Sequence, residues 1–216
     1  MSIEEICKKY GIENYTINDD GSIDVDGSVN INFYDLTELP LKFGVVTLDF
    51  YCSDNKLTTL KGSPKSVGRF FNCSANNLTS LEGCPDSVGH DFECDLNKLT
   101  DLKGCPKSVV GGFYCGYNNL TSLEGSPDSV GDNFKCNSNN LTDLKGCPKS
   151  IGGGFYCHNN PIGSIFDYAD IDFIRSFKTF KVLNDGVVNF KRLKYLTEMF
   201  DLPIDIEKIE KHYTIK

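Results

Sequence analysis

Six of the ten cysteines fall at Cys52, Cys73, Cys94, Cys115, Cys136 and Cys157, each 21 residues from the next. A thiol can bridge to another thiol, ligate a soft metal or act as a nucleophile, and each chemistry has its own spacing. Zinc sites bring ligands in pairs, as Cys-x-x-Cys or beside two histidines, and no such pair occurs here. Disulfide frameworks belong to short chains of the secretory route. This chain has 216 residues and starts Ile3-Glu4-Glu5-Ile6, without the basic stretch and apolar run of a leader. The even interval instead marks a repeat, with cysteine as a small buried hydrophobe.

The remaining reactive residues are few. His90, His158 and His212 each stand without an evident nucleophile or paired acid in the sequence. No glycine-rich phosphate loop follows a strand pattern. Asp91, Glu93 and Asp95 put three carboxylates on one short segment, a set that could hold Ca²⁺ or receive a basic patch. Neighbouring repeats add no acid nearer than Asp49, two repeats away, so neither a metal nor any other cofactor is expected.

Around each cysteine the same residues return. A phenylalanine precedes it by two (Phe50 to Phe155), an asparagine follows by three (Asn55 to Asn160), and leucine or isoleucine follows by five and by eight. Gly, Pro, Ser and a β-branched residue complete the unit. Phe-x-Cys has period two, so both side chains share one face of a short strand. Gly and Pro turn the chain back, and stacked units pair their strands about 4.8 Å apart in a parallel sheet. The asparagines should satisfy backbone groups that the bends leave unpaired. Cys84, Cys105 and Cys147 share a second layer with Ser63 and Ser126, so that slot does not demand a thiol. The Asn-x-Thr triplets at 77, 119 and 140 recur because the repeat recurs.

Two charge columns alternate in sign, Lys61-Glu82-Lys103-Glu124-Lys145 and Lys65-Asp86-Lys107-Asp128-Lys149. They either hold register between units or record duplication of a double unit. Over the whole chain, 22 basic and 30 acidic residues leave a net charge of −8. That disfavours a protein working by gripping nucleic-acid phosphates. No stretch approaches the ~20 apolar residues of a membrane helix, and a cytoplasmic protein is expected.

Phe-x-Cys-x-x-Asn-x-Leu-x-x-Leu resembles the leucine-rich-repeat core, with Phe and Cys in two leucine slots. Asn76-Asn-Leu-Thr-Ser-Leu-Glu-Gly-Cys-Pro-Asp-Ser-Val-Gly89, with Tyr15-Thr16-Ile17-Asn18 and Asp185-Gly186-Val187-Val188-Asn189, is similar to leucine-rich-repeat-like proteins of large tailed bacteriophages. The resemblance spans essentially the whole chain and implies fold and origin, not an activity. The expected architecture is an α/β solenoid of 21-residue rungs with a parallel sheet. Residues 1–27 form a cap of helix Ile3–Tyr10 and a hairpin turned at Asp19-Asp20-Gly21. Residues 28–165 hold one degenerate rung (Val29, Ile31, Leu36, Leu39) and six regular ones. Residues 166–216 form a helical and hairpin cap, with helices over 167–177, 190–200 and after Pro203.

With Phe and Cys inward, the residues beside them face out from the sheet and vary freely. The expected partner-binding set is Asp49, Tyr51, Phe70, Asp91, Glu93, Asp95, Tyr114, Tyr117, Lys135, Tyr156 and His158. It predicts a non-enzymatic protein-binding solenoid. With the phage resemblance, the expected partner is a host protein, and inhibition of a host defence is one use. The alternatives are a self-assembling protein dimerising through residues 166–216, and a small enzyme with its site near Tyr156 and His158.

Overall fold

A computed structural model describes residues 1–142, 144–161, 183–184, 187–199 and 214–215. Helix α1 (Ile3–Tyr10) is opened by a reciprocal cap. The Glu5 N–H donates to Ser2 Oγ at 3.3 Å, and Glu5 Oε2 accepts the Ser2 N–H at 2.8 Å. Gly11 ends it in the left-handed region at φ 63°. The helix buries Cys7 and Tyr10. Strands β1 (Tyr15–Ile17) and β2 (Ile23–Val25) pair antiparallel as the expected hairpin.

The 21-residue units form a parallel β-solenoid of six rungs, here numbered one to six by Cys52 to Cys157. One ladder holds seven two-residue strands in register, from Val29–Asn30 through Phe50–Tyr51 to Phe155–Tyr156. Phe50 to Phe134 are fully buried, and successive ring centroids lie 5.1–5.8 Å apart. Each such aromatic contact adds about 0.5–1.5 kcal/mol beyond area burial. Cys52 to Cys157 and Leu57 to Leu141 fill the same core. Val29 and Ile31 are fully buried in the degenerate rung, as the spacing predicts.

The asparagine column is a hydrogen-bond ladder. Asn97 Nδ2 donates to the carbonyls of Cys94 and Asp95 at 3.2 Å and to Cys73 on the preceding rung at 3.1 Å. Its Oδ1 accepts the Leu78 N–H at 3.0 Å. Asn55, Asn76, Asn118, Asn139 and Asn160 repeat the scheme, so each amide ties its own bend to the rung before.

A second parallel ladder was not foreseen. The Ser-Val pairs after each proline, expected only as part of the return, pair with one another: Val46 with Val67, Val67 with Val88, then Val109 with Val130 and Val130 with Ile151. β2 extends it by pairing with Phe43–Val46, which docks the hairpin on the first rung.

This ladder is broken once, between Ser87–Val88 and Ser108–Val109, and divides into two sheets. The cause is one residue. Gly68, Gly89, Gly131 and Gly152 occupy equivalent positions, where a β-carbon would collide with a backbone carbonyl of the rung before. Each donates its N–H to a valine carbonyl of the preceding rung at 2.9–3.0 Å. Val110 takes that position on rung four. Neither a Val110 N–H bond to Val88 nor a Lys107 N–H bond to Asp86 is formed, although both have counterparts on the other rungs.

Of the charge columns, Lys145–Glu124 and Lys149–Asp128 form ion pairs across rungs, both at 2.7 Å, while Lys103 turns to Asp101 of its own rung at 3.6 Å. All are exposed, so each adds at most about 1 kcal/mol.

Toward the C terminus, Leu183–Asn184 pairs antiparallel with Val187–Val188, and helix α2 runs Phe190–Met199. Thr214–Ile215 pairs parallel with Val187–Val188, a strand the sequence pattern did not announce. The helices expected over 167–177 and after Pro203 lie outside the described residues.

Candidate interaction face

The residue between Phe and Cys on each rung points away from the core, and strand register aligns six of them into one column: Tyr51, Asn72, Glu93, Tyr114, Lys135 and Tyr156. All six are half-buried. Side chains stacked one strand spacing apart cover one another, and several are bound within the solenoid.

On rung three, Asp91 Oδ1 accepts the Gly112 N–H at 2.6 Å, and Asp95 Oδ1 accepts the Gly116 N–H at 2.7 Å. Glu93 Oε2 accepts from Asn72 Nδ2 at 2.6 Å. The three carboxylates are therefore partly built into the scaffold. Burial pushes the Asp95 carboxyl up to about 6, against the Gly116 N–H and Lys135, which pull it down. Glu93 is raised by burial first, and then by the charges of Asp95 and Asp91. Three like charges on one rung remain incompletely balanced.

Rung four makes room for this. A side chain at Gly116 would crowd Asp95 and Asn137, and one at Gly112 would meet the Tyr114 hydroxyl, so Tyr114 lies across Gly112. Lys135 stands between two tyrosines, its ammonium 4.8 Å from the Tyr114 ring centroid and 5.5 Å from that of Tyr156.

Toward the first rungs, Asp49 accepts the Phe70 N–H at 3.3 Å and the Ser28 hydroxyl at 3.2 Å. The Phe70 ring lies 4.5 Å from the His90 ring, and Arg69 stands over it. His90 has an acid partner after all: its Nδ1 is 3.0 Å from Asp91 Oδ1. The two residues are adjacent in the chain, so no spaced motif announces the pair. Tyr117 and His158 are exposed at the rim, just past the sheet. Among the described residues, no three His, Cys, Asp or Glu side chains are grouped to hold a metal ion, and no helix is long and apolar enough to cross a membrane.

Two residues at this face were missed. Leu96 is 55% exposed beside Tyr117, and both have left-handed backbone, at φ 55° and 52°. Val110 is 70% exposed in the bend between strands Ser108–Val109 and Phe113–Tyr114. Its signal was legible, as a valine in a glycine column. No protein family and no curated protein matches the chain.

Proposed function

We propose that the chain is a non-enzymatic protein-binding solenoid of leucine-rich-repeat kind, with residues 1–27 and 166–216 acting as caps. One observation carries this reading. Across six rungs the inward columns of Phe, Cys, Asn and Leu hardly change, while the aligned outward column reads Tyr, Asn, Glu, Tyr, Lys, Tyr. A uniform scaffold presenting a variable, aromatic-rich column is how repeat proteins recognise partners. The resemblance of the repeat to phage proteins supports a host protein, met in the host cytoplasm, as the partner, and inhibition of a host defence as one outcome.

The test is affinity capture from bacterial lysate with the full-length protein and with a Tyr51→Ala/Tyr156→Ala variant. A stoichiometric protein lost with the variant is the expected result. Reversal of all three acids is a poor control, because Asp91 and Asp95 hold backbone N–H groups. Equal capture by both forms would overturn the reading.

A further inference from the structure

We infer that rungs three and four form a docking site for an extended, basic peptide segment bearing apolar side chains at both ends. This rests on the protein-binding reading and adds a location and a chemistry to it.

Exposed apolar surface marks the place. Among the described residues of the six rungs, three large apolar side chains are more than half exposed, Leu96, Val110 and Tyr117, and all lie on rungs three and four. Each differs from what the other regular rungs carry at its position. At the left-handed position of Leu96 and Tyr117 the other regular rungs carry Asp54, Ala75, Ser138 and Asn159, and the degenerate rung carries Phe33. Bulky apolar residues are disfavoured there relative to Asn, Asp or Gly. Val110 replaces glycine and interrupts a ladder. Three departures from local preference, each leaving apolar surface in water, destabilise the free chain, and departures of this sort concentrate at functional sites.

Their positions set the length of the occupant. Val110 precedes strand Phe113–Tyr114 and Tyr117 follows it. Seven residues separate them, so the two ends lie at most about 25 Å apart, within the reach of roughly seven or eight extended residues.

The charge between these ends sets the occupant's sign. Asp91, Glu93 and Asp95 lie on rung three, between the apolar ends. The nearest cation, Lys135, is held between Tyr114 and Tyr156. The Glu93 carboxylate faces the repulsion of two like neighbours. Lysine or arginine at the centre of a bound segment relieves it, while an acidic segment adds to it. Leu96 with Tyr117 at one end and Val110 at the other then receive the flanking apolar side chains.

The test titrates the full-length protein, by fluorescence anisotropy, with a labelled peptide of about nine residues. The probe has leucine at each end and lysine and arginine between, and its control carries glutamate at the basic positions. The basic peptide is expected to bind and the acidic one not. Its affinity should fall about tenfold or more when salt shortens the Debye length from about 30 to about 8 Å. Leu96→Asn with Tyr117→Asn should also lower it about tenfold or more, and the fold should persist because asparagine tolerates this backbone. No binding of the basic peptide, equal binding of the acidic one, or no effect of the double variant overturns the inference. A protein captured through Tyr51 and Tyr156 but indifferent to Leu96→Asn/Tyr117→Asn overturns this location while leaving the protein-binding reading intact. Failure of both the peptide and the capture experiment removes the two together.

Discussion

The carboxylate of Asp95 accepts the backbone N–H of Gly116, one rung on, at 2.7 Å. The bond fixes an acid where water has been largely removed, so Asp95 is at once a structural clamp and an unfavourable charge.

The sign of its pH dependence follows. Folding raises the Asp95 carboxyl from 3.8 to about 6. A raised acid binds protons in the native state that the unfolded chain has already lost. Its contribution is therefore complete below pH 3.8 and lost as pH rises through about 6. The shift corresponds to about 3 kcal/mol. Glu93, also raised, acts in the same direction. The melting temperature should rise as pH falls from about 7 to about 5. Asp95→Asn, whose amide oxygen can still accept the Gly116 N–H, should flatten most of that slope. A melting temperature constant over this interval, or an unchanged slope in Asp95→Asn, would refute the assignment.

Val110→Gly should stabilise the protein. The substitution frees the Val110–Val88 and Lys107–Asp86 backbone bonds to form, at about 0.5–1.5 kcal/mol each. It incurs a backbone entropy cost of about 0.5–1 kcal/mol and sacrifices little burial, because Val110 is exposed. The reverse change, Gly131→Val, places a β-carbon against the Val110 carbonyl oxygen and should destabilise by more than about 1 kcal/mol. Urea melts of the two variants decide it. A destabilised Val110→Gly, or a neutral Gly131→Val, would show that the ladder break has another cause.

The core was readable from the repeat because a residue at one column always meets the same column above and below. Phe-x-Cys announced a strand, and the buried asparagines announced their bends. The second ladder escaped because Ser66–Val67 and its counterparts are two residues long, too short to display a period. The outward face was read too simply, since its burial depends on differences between neighbours. Tyr114 lies down because Gly112 has no side chain, and Asp95 leans on Gly116 for the same reason. Single-rung pattern could not show this, although aligning Val110 with Gly68, Gly89, Gly131 and Gly152 would have exposed the break.

The rung cysteines should be inert in the native protein. Burial raises the thiols of Cys52, Cys73, Cys84, Cys94, Cys115 and Cys136, and pushes Cys105 up to about 12. Cys84 and Cys105 donate their protons to the Gly104 and Gly125 carbonyls at 3.0 and 2.9 Å. At about pH 8 the thiolate fraction of Cys105 is about one in ten thousand. Iodoacetamide should label these seven only as fast as the protein unfolds, as peptide mass spectrometry would reveal. Rapid labelling of Cys84 or Cys105 under native conditions would contradict the bonding.

Asparagine truncation should separate scaffold from surface within a single residue type. Asn118→Ala removes the donors to the Cys94, Cys115 and Gly116 carbonyls and the acceptor for the Leu99 N–H. These groups are buried, and leaving them without the amide is expected to cost about 2–4 kcal/mol. Asn118→Asp should be little better, because a carboxylate cannot donate to carbonyls. Asn119 is the next residue, is exposed and makes no side-chain bond of this kind. Asn119→Ala should change stability by less than about 0.5 kcal/mol. Chemical denaturation of the three variants measures the contrast. If Asn118→Ala and Asn119→Ala lose similar stability, the column is not what joins the rungs, and their stacking rests on the Phe and Leu core alone.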